Sequence, residues 1–160
     1  MARRAPGERR LPVRALLQRT SGARVRIDGD VAGEIGMGLA ILLGVAPADT
    51  PATADALARK AAELRIFRDD DGRTNRSLLE LGGEALVVSQ FTLFADTRRG
   101  RRPGFTNAAP PEEAERLYLR FVAALEALGV RVACGRFGAE MAVELTNDGP
   151  FTIWLDSDDR

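Results

Sequence analysis

The chain of 160 residues contains no histidine, and no other feature of its composition restricts its chemistry as much. Histidine is the commonest general base in enzymes and the usual group that activates a serine or cysteine nucleophile. Any ester or amide hydrolysis must therefore use another proton acceptor. Cys134 is the only cysteine, which excludes a disulfide framework and leaves too few thiolates for a cysteine metal site.

The chain also lacks an excess of either charge and any long hydrophobic run. Its 23 lysine and arginine residues balance 23 aspartate and glutamate residues, so no overall field favours a polyanion or a membrane as partner. No apolar run approaches the roughly 20 residues of a membrane span, and the amino terminus has no stretch of signal-peptide type. We expect a cytoplasmic protein that binds no membrane, no metal and no cofactor.

The length and hydrophobic content of the chain fit one domain. The hydrophobic content of 45% is enough to bury a core without disulfides or metals. Residues 1–12 mix arginine, proline and glycine without periodicity and are predicted to be a flexible extension. We assign residues 13–156 to the domain and residues 157–160 to a carboxyl-terminal tail.

Apolar periodicity predicts an α/β fold with two main helices. Thr50 and Pro51 suit the N-cap and first position of one helix, and Pro110 opens a second helix that ends at Gly129. Short glycine-bearing turns separate the first strand-like runs, as is typical of antiparallel strands. The strand-like runs are residues 13–18, 24–28, 31–35, 39–45, 85–88, 130–133, 141–145 and 151–155.

The first candidate site is the polar segment that ends the apolar run 85–88. Strand ends in mixed sheets commonly carry ligand-binding groups. The N–H groups of Phe91 and Thr92 suit an oxyanion hole, whereas the Thr92 hydroxyl is a poor nucleophile without a base. The alternative is a strand whose Phe91 and Leu93 belong to the core and whose hydroxyls bond locally. The segment consists of Ser89, Gln90, Phe91 and Thr92.

The second candidate site lies between the last two strand-like runs, at residues 147–152. Its Asn-Asp-Gly-Pro sequence is ordinarily a tight hairpin turn, in which glycine adopts a positive φ and proline fixes the next residue. A cis bond between Gly149 and Pro150 would instead turn two backbone carbonyls to the same side, although only about 5–6% of X-Pro bonds in folded proteins are cis. The residues alone leave both interpretations open.

A compact basic patch and a segment of small residues complete the candidate sites. Four arginines surround Gly100, and they are either solvated surface or contacts to nucleic-acid phosphates. Residues 135–141, with small residues around Phe137 and Met141, fit either a turn into a strand or the wall of a pocket. The four arginines are Arg98, Arg99, Arg101 and Arg102.

The order of these segments resembles the D-aminoacyl-tRNA deacylase family over nearly the whole chain. Several separate motifs in register are more specific than any one of them. One signature segment contains Ser89, Gln90 and Thr92, and the other is the Gly149-Pro150 step. The other matching segments are residues 17–19, 33–36, 42–45, 64–67, 87–93, 102–103 and 135–137.

The resemblance implies a homodimeric hydrolase with a barrel-like mixed sheet, which removes D-amino acids esterified to the 3′ end of tRNA. It implies that the Gly149-Pro150 step is cis, enters the partner's active site and excludes L side chains by steric clash. It also implies that Arg19 supports this step and that Phe137 and Met141 line the substrate pocket. Because the ribose 2′-hydroxyl can position water or relay a proton, we expect substrate-assisted hydrolysis. Glycine has no side chain to exclude, so glycyl-tRNA is an expected substrate.

Two other functions stay open. A sister deacylase that clears L-alanine from mismatched tRNA would carry a trans Gly149-Pro150 bond. A non-catalytic RNA-binding module would use the arginine patch and would turn over no ester. The isomer of the Gly149-Pro150 bond separates the first alternative from the D-aminoacyl-tRNA deacylases, and turnover of a D-aminoacyl ester separates the second.

Overall fold

The computed structural model describes residues 12–157, in which a six-stranded mixed sheet packs against the helices. Residues 1–11 of the predicted extension and residues 158–160 of the predicted tail lie outside the described residues. The strands are β1 (Arg14–Ile27), β2 (Asp30–Ile35), β3 (Gly38–Gly44), β4 (Phe67–Arg68), β5 (Thr74–Arg76), β6 (Glu84–Ser89), β7 (Arg131–Cys134) and β8 (Ala142–Asp156). The helices are α1 (Pro51–Glu63), α2 (Leu78–Leu81), α3 (Pro111–Ala127) and a one-turn 3-10 helix (Phe91–Phe94), called here the 3-10 turn.

The strands of the large sheet follow the order β2-β1-β3-β6-β7, and β8 pairs with the other edge of β1. The strands β2, β3 and β8 run antiparallel to β1, whereas β6 runs parallel to β3 and β7. A Cβ atom on Gly33 of β2 would lie 2.6 Å from the Cys134 carbonyl oxygen of β7, so only glycine allows these strands to approach so closely. This approach nearly closes the sheet and confirms the expected barrel-like architecture.

The central strands β3 and β6 are buried on both faces, as their continuous apolar runs indicate. On one face, Ile41 and Val87 belong to a core that also contains the apolar stripes of α1 and α3. On the other face, Ala40 and Leu86 belong to a second core, against which Met141 packs. The alternation within each strand therefore sends neighbouring side chains into two different cores.

Both predicted main helices are confirmed. Thr50 caps α1 by accepting a hydrogen bond from the Thr53 N–H, and Pro51 is the first helical residue. The buried face of α3 includes Tyr118, whose hydroxyl donates a hydrogen bond of 2.9 Å to the Val87 carbonyl and so ties the helix to β6. Across the described part of the chain, no helix is both long enough and apolar enough to cross a membrane.

Two long strands replace four predicted ones. Residues 13–18 and 24–28 both lie along β1, and residues 141–145 and 151–155 both lie along β8. Because β8 pairs antiparallel with β1 on both sides of residues 147–150, the chain does not reverse there. The hairpin-turn interpretation of this segment is therefore wrong. The turn-forming residues stay within β8, and shifts in its register with β1 accommodate them.

The Asp49 carboxylate ties the start of β1 to the loop between β3 and α1. It accepts hydrogen bonds from the buried N–H groups of Val13 at 2.9 Å and Ala46 at 2.8 Å. Asp49→Ala leaves both donors without this acceptor, so we expect the free energy of unfolding to fall by about 2–4 kcal/mol. Asp49→Asn keeps one carbonyl oxygen and should lose less. Urea unfolding of both variants measures the difference, and wild-type stability of Asp49→Ala would contradict this role.

Candidate active site

A cavity of about 760 Å³ lies where β6 ends, beside the amino end of α3. Ser89, the last residue of β6, lines this cavity together with Gln90 and Phe91. Phe137 and Met141 line it as well. The fold thus brings together five predicted site residues from two segments that are distant in the sequence.

The backbone at the end of β6 leaves donors available for a ligand. Ser89 is the last residue of the parallel ladder with β3, and the Gln90 N–H then donates to the Leu43 carbonyl at 2.8 Å. The chain continues into the 3-10 turn. The N–H groups of Phe91 and Thr92 are the first two of this turn, so they have no intrahelical carbonyl to bind. Two adjacent donors at a strand end can stabilise a developing negative charge.

The side chains of this segment are not arranged for nucleophilic attack by threonine. The Thr92 hydroxyl oxygen accepts a hydrogen bond of 2.5 Å from the Gln90 side-chain amide, and an amide nitrogen does not serve as a base. Phe91 is 54% exposed, and its ring stands edge-on to the ring of Phe105 with centroids 5.0 Å apart. The alternative that places Phe91 in the core is therefore wrong.

Local hydrogen bonds support the backbone of residues 147–152. The Asn147 Oδ1 accepts a hydrogen bond of 2.8 Å from the Phe151 N–H. The bond between Gly149 and Pro150 is cis, the isomer that the resemblance implies, and Gly149 has a φ of 142°, a region that favours glycine. Both residues are exposed, and neither lines the cavity of their own chain.

Arg19 supports this segment from β1. Its side chain is only 4% exposed, and its Nε donates to the Asp148 carbonyl at 3.0 Å. Its Nη1 donates to the Ile66 carbonyl at 2.8 Å, and the guanidinium lies 4.6 Å from the centre of the Phe151 ring. Burial lowers the pKa of Arg19, the Arg68 guanidinium lowers it further, and the Asp148 carboxylate raises it. The group remains charged at neutral pH because the ordinary pKa of arginine lies far above 7.

The predicted arginine patch is an exposed loop, residues 97–103, that is closed at its base. Asp96 and Gly104 exchange two backbone hydrogen bonds, of 2.7 Å and 2.9 Å. Arg98 forms a forked ion pair with the Asp96 carboxylate at 2.9 Å and 2.8 Å. Hydrogen bonds from the Arg98 side chain and N–H lower the pKa of Asp96 to about 2, so the pair stays ionised at neutral pH.

The other three arginines of this loop are exposed, and within residues 12–157 they form no ion pair. Phe105 follows the base of the loop, lines the cavity and contacts Phe91. The loop is therefore anchored beside the cavity, where free guanidinium groups can bind phosphate. These three residues are Arg99, Arg101 and Arg102.

Several lining residues were not found from the sequence. Val45 follows β3, and because β3 runs parallel to β6, the two strand ends meet at one edge of the sheet. That rule could have identified Val45. Pro110 was predicted only as a helix start, although it lines the cavity. Phe105 reaches the cavity through tertiary packing, for which the sequence carries no local signal.

Comparisons with known proteins bear on the family. The model of the D-Tyr-tRNA(Tyr) deacylase family matches residues 16–156. A D-aminoacyl-tRNA deacylase of Roseiflexus castenholzii is 63% identical over 145 residues, which cover 91% of this chain and 92% of the relative. Another of Dinoroseobacter shibae is 61% identical over 144 residues, which cover 90% of this chain and 99% of the relative.

Two solved structures share the fold. A protein named c-Myc DNA Unwinding Element Binding Protein has a TM-score of 0.84 and 37% identity, with 89% of this chain and 97% of that chain covered. A probable eukaryotic D-amino acid tRNA deacylase has a TM-score of 0.77 and 20% identity, with 91% of this chain and all of that chain covered, and this likeness concerns the fold alone. Since the family model spans most of the sequence, the chain belongs to the D-Tyr-tRNA(Tyr) deacylase family, which confirms the resemblance.

Proposed function

We propose that this deacylase is a homodimer that hydrolyses the ester between D-amino acids or glycine and the 3′ end of tRNA, and that the Gly149-Pro150 step rejects L-amino acids. The observation that carries the proposal is the separation of the two predicted halves of the site within one chain. The cavity is lined by Phe91, one of the two donor residues at the end of β6, whereas the exposed Gly149-Pro150 step is not part of its lining. A second copy that inserts its step into the cavity would complete the site.

The hydrolytic half uses backbone donors. The oxygen of water attacks the ester carbonyl carbon, and the N–H groups of Phe91 and Thr92 stabilise the negative charge that develops on the carbonyl oxygen. The bond to the ribose 3′-oxygen then breaks. The neighbouring 2′-hydroxyl positions the water and relays its proton to the departing 3′-oxygen. The absence of histidine and the lack of a basic partner for Thr92 support this route.

The selective half uses backbone acceptors. The carbonyl groups of Gly149 and Pro150 hold the α-amino group of the substrate, so that an L side chain would collide with the step while a D side chain points away. Such exclusion works only if an L side chain cannot displace the Gly149-Pro150 step. The buried Arg19 guanidinium, fixed to the Asp148 carbonyl and stacked on Phe151, supplies this rigidity.

The arginine loop supplies affinity for the tRNA backbone. The guanidinium groups of Arg99, Arg101 and Arg102, which form no ion pair within residues 12–157, lie beside the cavity that would hold the esterified 3′ end, and phosphates lie close to that end of any tRNA. Contacts to phosphate carry no sequence information. The proposed deacylase would therefore act on many different tRNAs.

The first kinetic prediction separates the Thr92 hydroxyl from the backbone donors. Thr92→Ala keeps its N–H, so kcat for D-Tyr-tRNA should stay within about tenfold of wild type, whereas loss of a nucleophile costs on the order of 10⁶. Phe91→Pro removes one donor at a position where proline fits a helix start, so kcat should fall by about 10²- to 10³-fold. Phe91→Ala loses the same ring but keeps the N–H, and it is the matched control. A trapped acyl-enzyme on the wild type, with an inactive folded Thr92→Ala, would overturn this scheme.

The second prediction tests the shared site. A Cβ atom on Gly149 would lie 2.9 Å from the Phe151 nitrogen and 3.1 Å from Arg19 Nη2, so Gly149→Ala should displace the step and reduce activity. In a heterodimer of Gly149→Ala and Phe91→Pro subunits, one site combines an intact cavity with an intact step. We expect purified, doubly tagged heterodimers to recover about half of the wild-type activity. Heterodimers as inactive as either homodimer would mean that the step does not act across the dimer.

The third prediction concerns the range of substrates. Selection by excluding an L side chain cannot reject glycine, and burial of one methyl group would supply only about 1 kcal/mol in favour of a D side chain. D-Tyr-tRNA, D-Ala-tRNA and glycyl-tRNA should therefore be deacylated, and L-Tyr-tRNA should not. Enzyme titration against these substrates and L-Ala-tRNA under one condition measures the order. Clearance of L-Ala-tRNA would favour the sister activity, and resistance of glycyl-tRNA equal to that of L-Ala-tRNA would indicate a pocket for the D side chain.

A further inference from the structure

We propose that Arg14 is a positioning residue for hydrolysis, because it fixes the 3-10 turn that carries the N–H groups of Phe91 and Thr92. This inference rests on the proposed function, in which these two groups are the oxyanion donors. Arg14 is the first residue of β1, and its Nη1 donates a hydrogen bond of 2.9 Å to the Leu93 carbonyl. The contact joins the middle of the sheet directly to the turn.

The 3-10 turn is held only weakly by its own hydrogen bonds. The Leu93 N–H donates to the Gln90 carbonyl at 3.3 Å and the Ala95 N–H to the Thr92 carbonyl at 3.1 Å, and both contacts are local. Hydrogen bonds of 3-10 geometry are poorer than those of an α-helix, and no side chain of residues 12–157 caps this turn. A donor that reaches its third residue from a central strand therefore restricts the turn more than its local contacts do.

The Arg14 guanidinium is itself fixed by two aromatic rings. Its central carbon lies 4.6 Å from the centre of the Phe94 ring and 5.5 Å from the centre of the Trp154 ring. Phe94 is the last residue of the turn and is buried, whereas Trp154 belongs to β8. Only the planar guanidinium can stack on both rings while it donates to the Leu93 carbonyl. Arg14 thus ties both the end and the third residue of the turn to the sheet.

A buried donor without a hydrogen-bond acceptor supports a role of Arg14 beyond stability. Arg14 Nε is buried and has no hydrogen-bond partner within residues 12–157. A buried donor without an acceptor destabilises the folded protein, and such exceptions in native proteins call for an explanation. The Leu93 carbonyl explains why Arg14 Nε has no acceptor. The hydrogen bond from Nη1 to this carbonyl and the stacking on the two rings together fix the guanidinium, and Nε then lies where no acceptor is within reach.

The test compares Arg14→Met, Arg14→Lys and Arg120→Met in the full-length protein. Arg14→Met keeps an apolar stem but removes the donor, so kcat for D-Tyr-tRNA should fall by about 10- to 100-fold while KM changes less than about twofold, because positioning affects the chemical step. Arg14→Lys should recover part of this loss. Arg120→Met removes a guanidinium that forms two hydrogen bonds of 2.7 Å to Asp55 between α1 and α3, and this control should behave like wild type.

Three results would overturn the inference. They are a wild-type kcat for folded Arg14→Met, a raised KM with unchanged kcat, which would make Arg14 a tRNA contact, and full wild-type kcat for Arg14→Lys. Circular dichroism and urea midpoints establish folding, and if Arg14→Met does not fold, the lysine variant alone decides. Failure of the wild-type chain to hydrolyse D-Tyr-tRNA would contradict the proposed function instead, so the two failures are distinguishable.

Discussion

The pairing of β1 with β8 is the constraint on which both proposed halves of the site depend. β1 pairs with β8 on one edge and with β2 and β3 on the other, so it lies inside the sheet and has little freedom to move. Arg14 and Arg19 project from opposite faces of this strand because side chains alternate along it. Arg14 reaches the 3-10 turn, and Arg19 reaches the segment that contains Gly149 and Pro150. One central strand therefore sets the positions of the proposed hydrolytic and selective groups.

The buried Arg19 guanidinium restrains residues 147–152 through its contacts. A buried charge is costly unless its donors are met, and here the carbonyls of Ile66 and Asp148 accept its hydrogen bonds while the Asp148 carboxylate lies 3.6 Å from its Nε. A shift of residues 147–152 would expose this arrangement or leave the guanidinium unpaired. The segment therefore resists displacement, which is the property that selection by steric exclusion requires.

Local patterns predicted those parts of the molecule that local forces determine. Thr50 and Pro51 mark the start of α1 through capping and a fixed φ, and the end of β6 follows from its apolar run. The continuity of β8 through Asn147 to Pro150 could not be predicted in this way, because long-range pairing with β1 overrides turn chemistry. Arg19 did carry a signal: it occupies an inward position in the alternation that Ala15 and Leu17 begin. The contacts of Arg14 could not be predicted from local sequence, because its acceptor and both of its rings come from distant parts of the sequence.

The absence of histidine affects how a hydrolase of this kind is organised. A side-chain base in the cavity would promote hydrolysis of any ester that reached it, whatever the configuration at its α-carbon. Backbone donors act only on a carbonyl that is already placed within hydrogen-bond distance. If the Gly149-Pro150 step of a second subunit decides which esters reach that position, an ester is hydrolysed only after it has been selected. The precision of the whole site then depends on how firmly Arg14 holds the 3-10 turn and Arg19 holds residues 147–152.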